Sequence, residues 1–236
     1  PAAPAVVSAP APAPTMNSPS TRPPALHPAI TKRLDGVVSA NMELDVRFAA
    51  LRAAREQVKQ RAVAGSPSPS LMMAWAVTRA MEKHPALRCL TGRDGALAEQ
   101  ADFDLGIAVA LPGDKLATAA IPRANRLAWA DFVTTYHREI EETRGGKVVD
   151  VQAPVNLTSL GAFGIEKAWP IVVPPAVATL FIGTAHEKMI NEGGVILPVQ
   201  VVTLSITFDH RAVNGVGVAA FLQDLKRELE GFALPG

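Results

Sequence analysis

The stretch Val202-Thr-Leu-Ser-Ile-Thr-Phe-Asp-His-Arg-Ala-Val-Asn-Gly215 decides the fold, because it joins an alternating strand to the start of a helix through a histidine. Alternate residues from Val202 to Phe208 are apolar, and the residues between them are polar. By this parity His210 projects toward the apolar side at the point where the strand ends. An imidazole there, partly shielded from water, is able to accept a proton near neutral pH. A core histidine bonded to its own backbone gives the same pattern, so the sequence alone leaves both interpretations open.

The first half of the chain favours two helices followed by a pair of strands. Good helix formers predict a helix over Asp45 to Ala64, which ends before a Gly-Ser-Pro turn. A second helix is predicted over Leu71 to Lys83, with Ser70 as its cap. A strand pair is predicted over Leu105 to Leu111 and Lys115 to Ile121, joined by a Pro-Gly-Asp turn.

The second half continues the alternation of helices and strands, which indicates an α/β domain. An amphipathic helix closed by Gly145-Gly146 is predicted from a set of large side chains on one face: Trp129, Phe132, Val133, Tyr136 and Ile140. Strands are predicted at about 153–159, 170–173, 177–184 and 198–208. A final helix is expected to bury Val218, Leu222, Leu225 and Leu229.

Composition excludes several classes of protein. The 23 basic and 22 acidic residues are interspersed and give a net charge of +1, so there is no basic footprint for nucleic acid. The single cysteine, Cys89, excludes an internal disulfide framework and is interpreted as a packing residue; it fits a reducing compartment, and we expect a cytoplasmic protein. The apolar run 168–183 is broken by prolines and is too short to span a membrane, so we expect buried strands there.

Residues 1–27 differ in composition from the rest of the chain. Proline and alanine supply fifteen of the first 25 residues, and Arg22 is the only charged residue among them. Such a segment cannot bury a core, and its prolines favour extended, semi-stiff conformations. We therefore predict a flexible linker over residues 1–27 and a single domain over residues 28–236.

Common metal and nucleophile motifs do not occur in the sequence. There is no zinc-ligand spacing, no His-Glu-x-x-His helix and no Gly-x-Ser-x-Gly turn. We therefore predict no metal ligands and no serine nucleophile.

The segment Phe208-Asp-His-Arg-Ala-Val-Asn-Gly215 resembles the signature of the dihydrolipoamide acyltransferases, the core subunits of the 2-oxo acid dehydrogenase complexes. In that signature Asp-His-Arg is followed by two apolar residues, Asp or Asn, and Gly. The resemblance runs from about residue 28 to 230, and further segments carry it in the family's order: Ile30-Thr-Lys-Arg-Leu34, Asp104-Leu-Gly-Ile-Ala-Val109, Thr158-Ser-Leu-Gly161, Val173-Pro-Pro175 and Ile182-Gly183.

The resemblance implies a fold and an activity. The fold is a two-layer α/β sandwich, a mixed sheet with helices on one face, as in chloramphenicol acetyltransferase. The activity is transfer of an acyl group between dihydrolipoamide and coenzyme A, with the lipoyl group carried on a separate domain. The implied partners are the decarboxylase and dihydrolipoamide dehydrogenase components of a complex.

The resemblance also assigns roles to three residues. His210 corresponds to the base that takes the proton from coenzyme A, Thr158 to the hydroxyl that donates to the oxyanion, and Asn214 to a further site residue. From the residues alone, an ordinary strand threonine is the favoured interpretation of Thr158. Asn214 is equally the cap of the last helix, and the two roles can coexist.

In the family the histidine and the hydroxyl residue meet across a subunit boundary, so a homotrimer is the implied working unit, with a larger core assembly as a further expectation. Phe232 and Leu234 lie beyond the last predicted helix. Their apolar side chains either pack on their own domain or insert into a neighbour.

Departures from the family pattern leave the acyl group undetermined. The segment Asp35 to Leu44 is shorter than its counterpart, and Ala117-Thr-Ala-Ala120, Val173 and Ala153-Pro154 replace other residues. Two alternatives therefore stay open. One is a core subunit that only scaffolds a complex, and the other is an O-acyltransferase similar to chloramphenicol acetyltransferase, whose acceptor is a hydroxyl.

Overall fold

A computed structural model describes Leu34 and residues 36–60, 67–92, 94–113, 115–147 and 149–235. The predicted linker 1–27, residues 30–33 of the family-like segment Ile30–Leu34 and residues 61–64 of the helix predicted to end at Ala64 lie outside these described residues.

A six-stranded mixed sheet forms the centre of the molecule. Its strands are β1 (Ser39–Arg47), β4 (Leu105–Leu111), β5 (Lys115–Ile121), β6 (Val155–Ser159), β7 (Ala178–Glu192) and β8 (Val195–Asp209). Their order in the sheet is β1-β8-β7-β6-β4-β5, and pairing is parallel between β4 and β6 and between β6 and β7, and antiparallel elsewhere in this sheet. A separate two-stranded sheet pairs β2 (Cys89–Thr91) with β3 (Leu97–Glu99).

Among the described residues, four α-helices share one apolar core with one face of the sheet. They are α1 (Ala49–Gln60), α2 (Pro69–Met81), α3 (Trp129–Arg144) and α4 (Gly215–Glu230). Leu180, Leu204 and Ile206 of the sheet and Phe221 of α4 belong to this core and are at most 1% exposed. Burial of apolar surface on this scale is the dominant stabilising contribution to such a domain. The predicted sandwich with helices on one face is confirmed.

The opposite face of the sheet carries polar side chains. Thr203, Ser205 and Thr207 of β8 are at most 3% exposed, and the hydroxyls of Thr203 and Thr207 donate to Asp45 and Asn41 of β1, each at 2.6 Å. Residues 165–167 pass over this face at Gly183, where an added Cβ would lie 2.0 Å from the Glu166 carbonyl oxygen. Only glycine at position 183 permits this approach.

Several sequence predictions agree with the structure. The strand pair Leu105–Leu111 and Lys115–Ile121 has the predicted bounds, and α3 and α4 form where expected. The predicted apolar set of α4 is buried: Val218, Leu222, Leu225 and Leu229. Phe232 and Leu234 pack against their own domain, with the Phe232 ring 6.3 Å from Trp129, as in the first of the two predicted positions of the tail.

The predicted helix from Asp45 to Ala64 is wrong at its start. Residues 39–47 form strand β1, paired with β8, and the helix begins at Ala49. Apolar residues Ala40, Met42, Leu44 and Val46 alternate with polar residues, which is the period-two pattern of a strand. Helix propensity is weak here against the backbone bonds and packing that a neighbouring strand offers.

Two strand predictions also need correction. Residues 170–173 form no strand, and β7 and β8 extend well past their predicted bounds into a long hairpin that turns at Gly193-Gly194. Both turn glycines have positive φ, 59° and 91°, which other residues rarely adopt. The extension follows from cross-strand pairing, which a single strand's sequence does not reveal.

The cap of α2 is Ser68 rather than the predicted Ser70, because the Ser68 hydroxyl accepts a hydrogen bond from the Leu71 amide at 3.2 Å. Pro69 then occupies the first helical turn, where its missing N–H costs nothing.

Replacing Ser68 with Ala should lower the free energy of unfolding by about 1 kcal/mol, the usual value of an N-cap hydroxyl. Ser70→Ala is the matched control and should leave stability within about 0.5 kcal/mol, because Ser70 lies inside the helix. Urea unfolding followed by circular dichroism measures both. Equal losses in the two variants would contradict the assignment of Ser68 as the cap.

Candidate active site

His210 lies in the turn between β8 and α4, and its backbone is firmly held. Its amide donates to the Val38 carbonyl at 2.7 Å, while the following residues Ala212 and Val213 donate to the Asp209 carbonyl at 2.9 and 3.2 Å. These bonds fix the turn from both sides. His210 is therefore placed by backbone hydrogen bonds from the end of β8 and from the segment just before β1.

The side chain of His210 is exposed, which corrects the prediction that it is partly shielded from water. The parity argument itself holds, because the imidazole lies beside Phe208, with ring centroids 5.5 Å apart. The strand ends before His210, however, so its ring emerges at the surface instead of entering the core. In a single chain this imidazole is open to solvent and to an approaching substrate.

Asp209 and Arg211 form a clamp on either side of His210. Asp209 is buried, with 1% exposure. Its carboxylate accepts a hydrogen bond from the Arg211 amide at 3.0 Å, two from Arg211 Nε at 3.0 and 3.1 Å, and one from Arg211 Nη2 at 2.5 Å. Burial raises the pKa of the Asp209 carboxyl, but the hydrogen bonds from Arg211 outweigh burial and hold this pKa below its ordinary value of 3.8. The clamp therefore contains a carboxylate that stays ionised at neutral pH.

The motif places Arg211 two residues after Asp209, but the sequence analysis did not predict this clamp. The signal was present, since an acid and a base two residues apart at a strand end can fold back on each other. Gly36, whose φ is +85°, lies against the clamp, because an added Cβ there would be 3.6 Å from Arg211 Nη1.

Asn214 is the N-cap of α4. Its side-chain oxygen accepts a hydrogen bond from the Gly217 amide at 3.0 Å, and its φ and ψ of −88° and 165° are those of a cap residue. The capping role is therefore present. The side chain is also exposed on the same turn as His210, so the predicted site role stays open beside it.

Thr158 lies on β6, half-buried, on the polar face of the sheet. Its register partner on β7 is Phe181, and the register partner of Phe181 on β8 is Ser205. Ser205 precedes His210 by five residues, which is about 16 Å along the strand, and β6 lies about 9.5 Å across the sheet from β8. The structure therefore does not bring Thr158 and His210 together within one chain.

Other candidate groups are inert or absent in the part of the chain that the structure describes. Cys89 packs against the core as predicted, its sulfur lies 3.5 Å from the Pro85 carbonyl oxygen, and burial raises the pKa of this thiol. Within the described ranges there is no cluster of three side chains suited to hold a metal ion. None of the helices formed by those same residues has the length and hydropathy needed to cross a bilayer.

Comparison with known proteins gives a family match over most of the chain. The model of the 2-oxoacid dehydrogenases acyltransferase (catalytic domain) family matches residues 26–235. A relative in Bacillus subtilis (strain 168), the dihydrolipoyllysine-residue acetyltransferase component of an acetoin cleaving system, is 31% identical over 158 residues, 66% of this chain and 39% of that protein. The aligned region thus spans about two fifths of that relative's length.

Solved structures share the fold at low identity. The Azotobacter vinelandii dihydrolipoamide acetyltransferase, studied for the catalytic roles of a serine, a histidine and an asparagine, has a TM-score of 0.76 and 22% identity, with 85% of each chain covered. The cubic core of a pyruvate dehydrogenase multienzyme complex has a TM-score of 0.76 and 23% identity, again with 85% of each chain covered. Chloramphenicol acetyltransferase is more distant, with a TM-score of 0.52, 17% identity, and 81% of this chain and 88% of that chain covered.

Replacing Arg211 with Met should destabilise the protein by about 1.5–3 kcal/mol at pH 7, because a buried carboxylate loses its charged hydrogen-bond donor. The folded-state pKa of Asp209 is depressed, so this stabilisation is present above pH 3.8, the ordinary value, and is lost as the pH falls through the folded value. The gap between wild type and variant should therefore shrink below pH 3.8.

Denaturant unfolding at a series of pH values measures this gap. Arg211→Lys keeps the positive charge but loses the planar set of guanidinium donors, so its free energy of unfolding should lie between those of wild type and Arg211→Met. A gap that stays constant down to pH 2 would contradict the proposed origin of the stabilisation.

Proposed function

Because the chain belongs to the family of 2-oxoacid dehydrogenase acyltransferase catalytic domains, we propose that it transfers an acyl group between dihydrolipoamide and coenzyme A. The observation that carries this proposal is the turn at the end of β8. Backbone hydrogen bonds and the ion pair of the Asp209–Arg211 clamp fix this turn, and the imidazole of His210 is exposed on it. A scaffold subunit needs a folded core but has no use for a fixed, solvent-facing imidazole.

The proposed chemistry needs only a base and an oxyanion donor. The neutral imidazole of His210 takes the proton from the thiol of coenzyme A, and the resulting thiolate attacks the carbonyl carbon of acyl-dihydrolipoamide. A carbon–sulfur bond to coenzyme A forms, and the carbonyl electrons move to the oxygen. As that oxyanion collapses, the bond to the dihydrolipoyl sulfur breaks, and the imidazolium returns its proton to the departing sulfur.

The Thr158 hydroxyl is the proposed donor to the oxyanion. Donors of this kind act in the transition state more than in the ground state, and one is worth about 3–4 kcal/mol in related acyl-transfer sites. The serine, histidine and asparagine studied in the Azotobacter enzyme are separated by fifty-two and four residues, and the same intervals separate Thr158, His210 and Asn214. This coincidence of spacing supports the assignment of all three residues.

The proposed site is shared between subunits. Thr158 and His210 are too far apart in one chain to act on one thioester, so a second copy must supply one of them. A cyclic homotrimer meets this need with one site at each boundary. The cubic core of the related pyruvate dehydrogenase complex supports a larger assembly of such trimers as a further proposal.

The proposed substrates and partners follow from the same family. Coenzyme A is the free thiol substrate, and the lipoyl group arrives on a separate domain. A decarboxylase would load that lipoyl group, and a dihydrolipoamide dehydrogenase would reoxidise it. The cytoplasm is the proposed location. The O-acyltransferase alternative is less favoured, because the TM-score with chloramphenicol acetyltransferase, 0.52, is lower than the 0.76 with the dihydrolipoamide acetyltransferase.

Replacing His210 with Ala should lower kcat by at least about a hundredfold, the low end for loss of a general base. Thr158→Ala should lower kcat with little change in KM, whereas Thr158→Ser, which keeps the hydroxyl, should retain most activity. Steady-state assays with acetyl-dihydrolipoamide and coenzyme A measure both effects. Full activity of His210→Ala in a folded protein would refute the assignment, and chloramphenicol as the better acceptor would favour the O-acyltransferase alternative.

Mixing His210→Ala and Thr158→Ala subunits should restore about one third of wild-type activity in purified mixed trimers. Every cyclic trimer that contains both variants has three boundaries, and one of them joins an intact His210 to an intact Thr158. Co-expression of the two variants with different tags, followed by tandem purification, yields the mixed assemblies. Absence of recovery in verified mixed trimers, or full activity of a monomer in sedimentation, would contradict the shared site.

A further inference from the structure

Asn156 is a second polar residue on the face of β6 that carries Thr158, and the chemistry above gives it no task. The two are alternate residues of the strand, so their side chains leave the sheet on the same side, about 7 Å apart. Both are half-buried. Asn156 lies in register between Gly106 of β4 and Thr179 of β7.

The side chain of Asn156 occupies the space above Gly106. A Cβ built on Gly106 would lie 1.9 Å from Asn156 Oδ1 and 2.9 Å from its Cγ, which no side chain permits. Gly106 is part of an ordinary strand and is not among the glycines with positive φ. Glycine is therefore needed at position 106 because it leaves space for the carboxamide of Asn156, and the backbone conformation there does not itself require glycine.

Stability does not explain an asparagine at this position. Oδ1 of Asn156 is buried and lacks a hydrogen-bond partner among the described residues, an arrangement that destabilises a fold and that a small apolar residue would avoid. Ser205 Oγ is buried and unpaired as well, but Ser205 is completely enclosed. Asn156 is only half-buried, so the other end of its carboxamide reaches the surface in a fixed orientation.

The surface beside Asn156 is open to a substrate arm. On the same face, β4 and β5 carry only small side chains next to it, and Ala108, Thr118 and Ala120 are all half-buried. No bulky side chain from these two strands covers Asn156. An extended chain lying over them would pass Asn156 and reach Thr158.

We infer that Asn156 binds a secondary amide in the arm of the substrate whose sulfur lies at Thr158; this rests on the proposed function. Because Oδ1 of Asn156 is buried, the Nδ2 amino group is the part of the carboxamide that reaches the surface, and its two N–H donors suit the C=O of such an amide. Both substrates carry an amide, in the pantetheine arm of coenzyme A and in dihydrolipoamide. In pantetheine only two carbons separate the sulfur from the nearest amide nitrogen, which suits the short distance from Thr158 to Asn156.

The test compares Asn156→Ala with wild type in binding, catalysis and stability. We expect calorimetric titration to show coenzyme A bound about tenfold more weakly, with a similar rise in KM and little change in kcat. Transfer to 1-butanethiol, an acceptor without an amide, should be unaffected. The melting temperature should equal or exceed that of wild type, because the unpaired oxygen is gone, whereas a purely structural asparagine would lower it.

Two further variants make the result specific. Gly106→Ala should displace the carboxamide and weaken coenzyme A binding while Asn156 itself is unchanged. Asn41→Ala is the matched control, because Asn41 lies on the same face and accepts from Thr207. It should lower the melting temperature and leave coenzyme A binding intact.

The possible outcomes distinguish a failure of the Asn156 inference from a failure of the proposed acyl-transfer function. A rise in KM for dihydrolipoamide alone would assign the amide to that arm. Unchanged affinity of Asn156→Ala for both substrates would overturn the inference. An equal loss of transfer to 1-butanethiol without a rise in the KM for dihydrolipoamide would overturn it as well. Wild type that binds coenzyme A but transfers no acyl group would refute the proposed function, while the binding comparison would still decide the role of Asn156.

Discussion

The two antiparallel pairings of β8, with β1 on one side and β7 on the other, set the positions of most groups in the molecule. Side chains alternate along a strand, so this register sends Leu204 and Ile206 into the core and Thr203 and Ser205 to the opposite face. A slip of one residue would reverse both sets, exposing the apolar side chains and burying the polar ones against the helices. The same register brings the carbonyl of Val38 to the amide of His210.

The end of β8 combines rigidity with exposure. The buried Asp209 carboxylate is tolerated because Arg211 wraps around it with several hydrogen bonds, and a charge without such partners would be costly to bury. This arrangement fixes the backbone on both sides of His210 while its ring stays at the surface. An exposed imidazole on a fixed turn suits a site that is completed by a second subunit, since the shielding of the ring then comes from the assembly.

The two faces of the sheet have different tasks. The helix-covered face supplies the apolar burial that stabilises the domain, and the other face carries hydroxyl and amide side chains on neighbouring strands. Most of these polar groups pair with each other, which offsets the loss of water. The oxygens of Asn156 and Ser205 have no partner within the described residues, but only Asn156 of the two is half-buried, and it lies beside the proposed oxyanion donor. Buried polar groups that reduce stability are expected where a protein binds its substrate.

The sequence by itself determined the family, the strand pair from Leu105 to Ile121, the amphipathic helices α3 and α4 with their buried faces, and the candidate residues His210, Thr158 and Asn214. These features depend on local periodicity and on a motif within a few residues, which a linear sequence displays directly.

Tertiary structure alone decided that residues 39–47 form a strand, that β7 and β8 extend into a hairpin, and that Thr158 and His210 lie far apart in one chain. It also revealed the Asp209–Arg211 clamp and the fit of Asn156 over Gly106. Each of these depends on which strand lies beside which and in what register, and pairing between distant segments overrides local propensity because it satisfies backbone hydrogen bonds and buries side chains together.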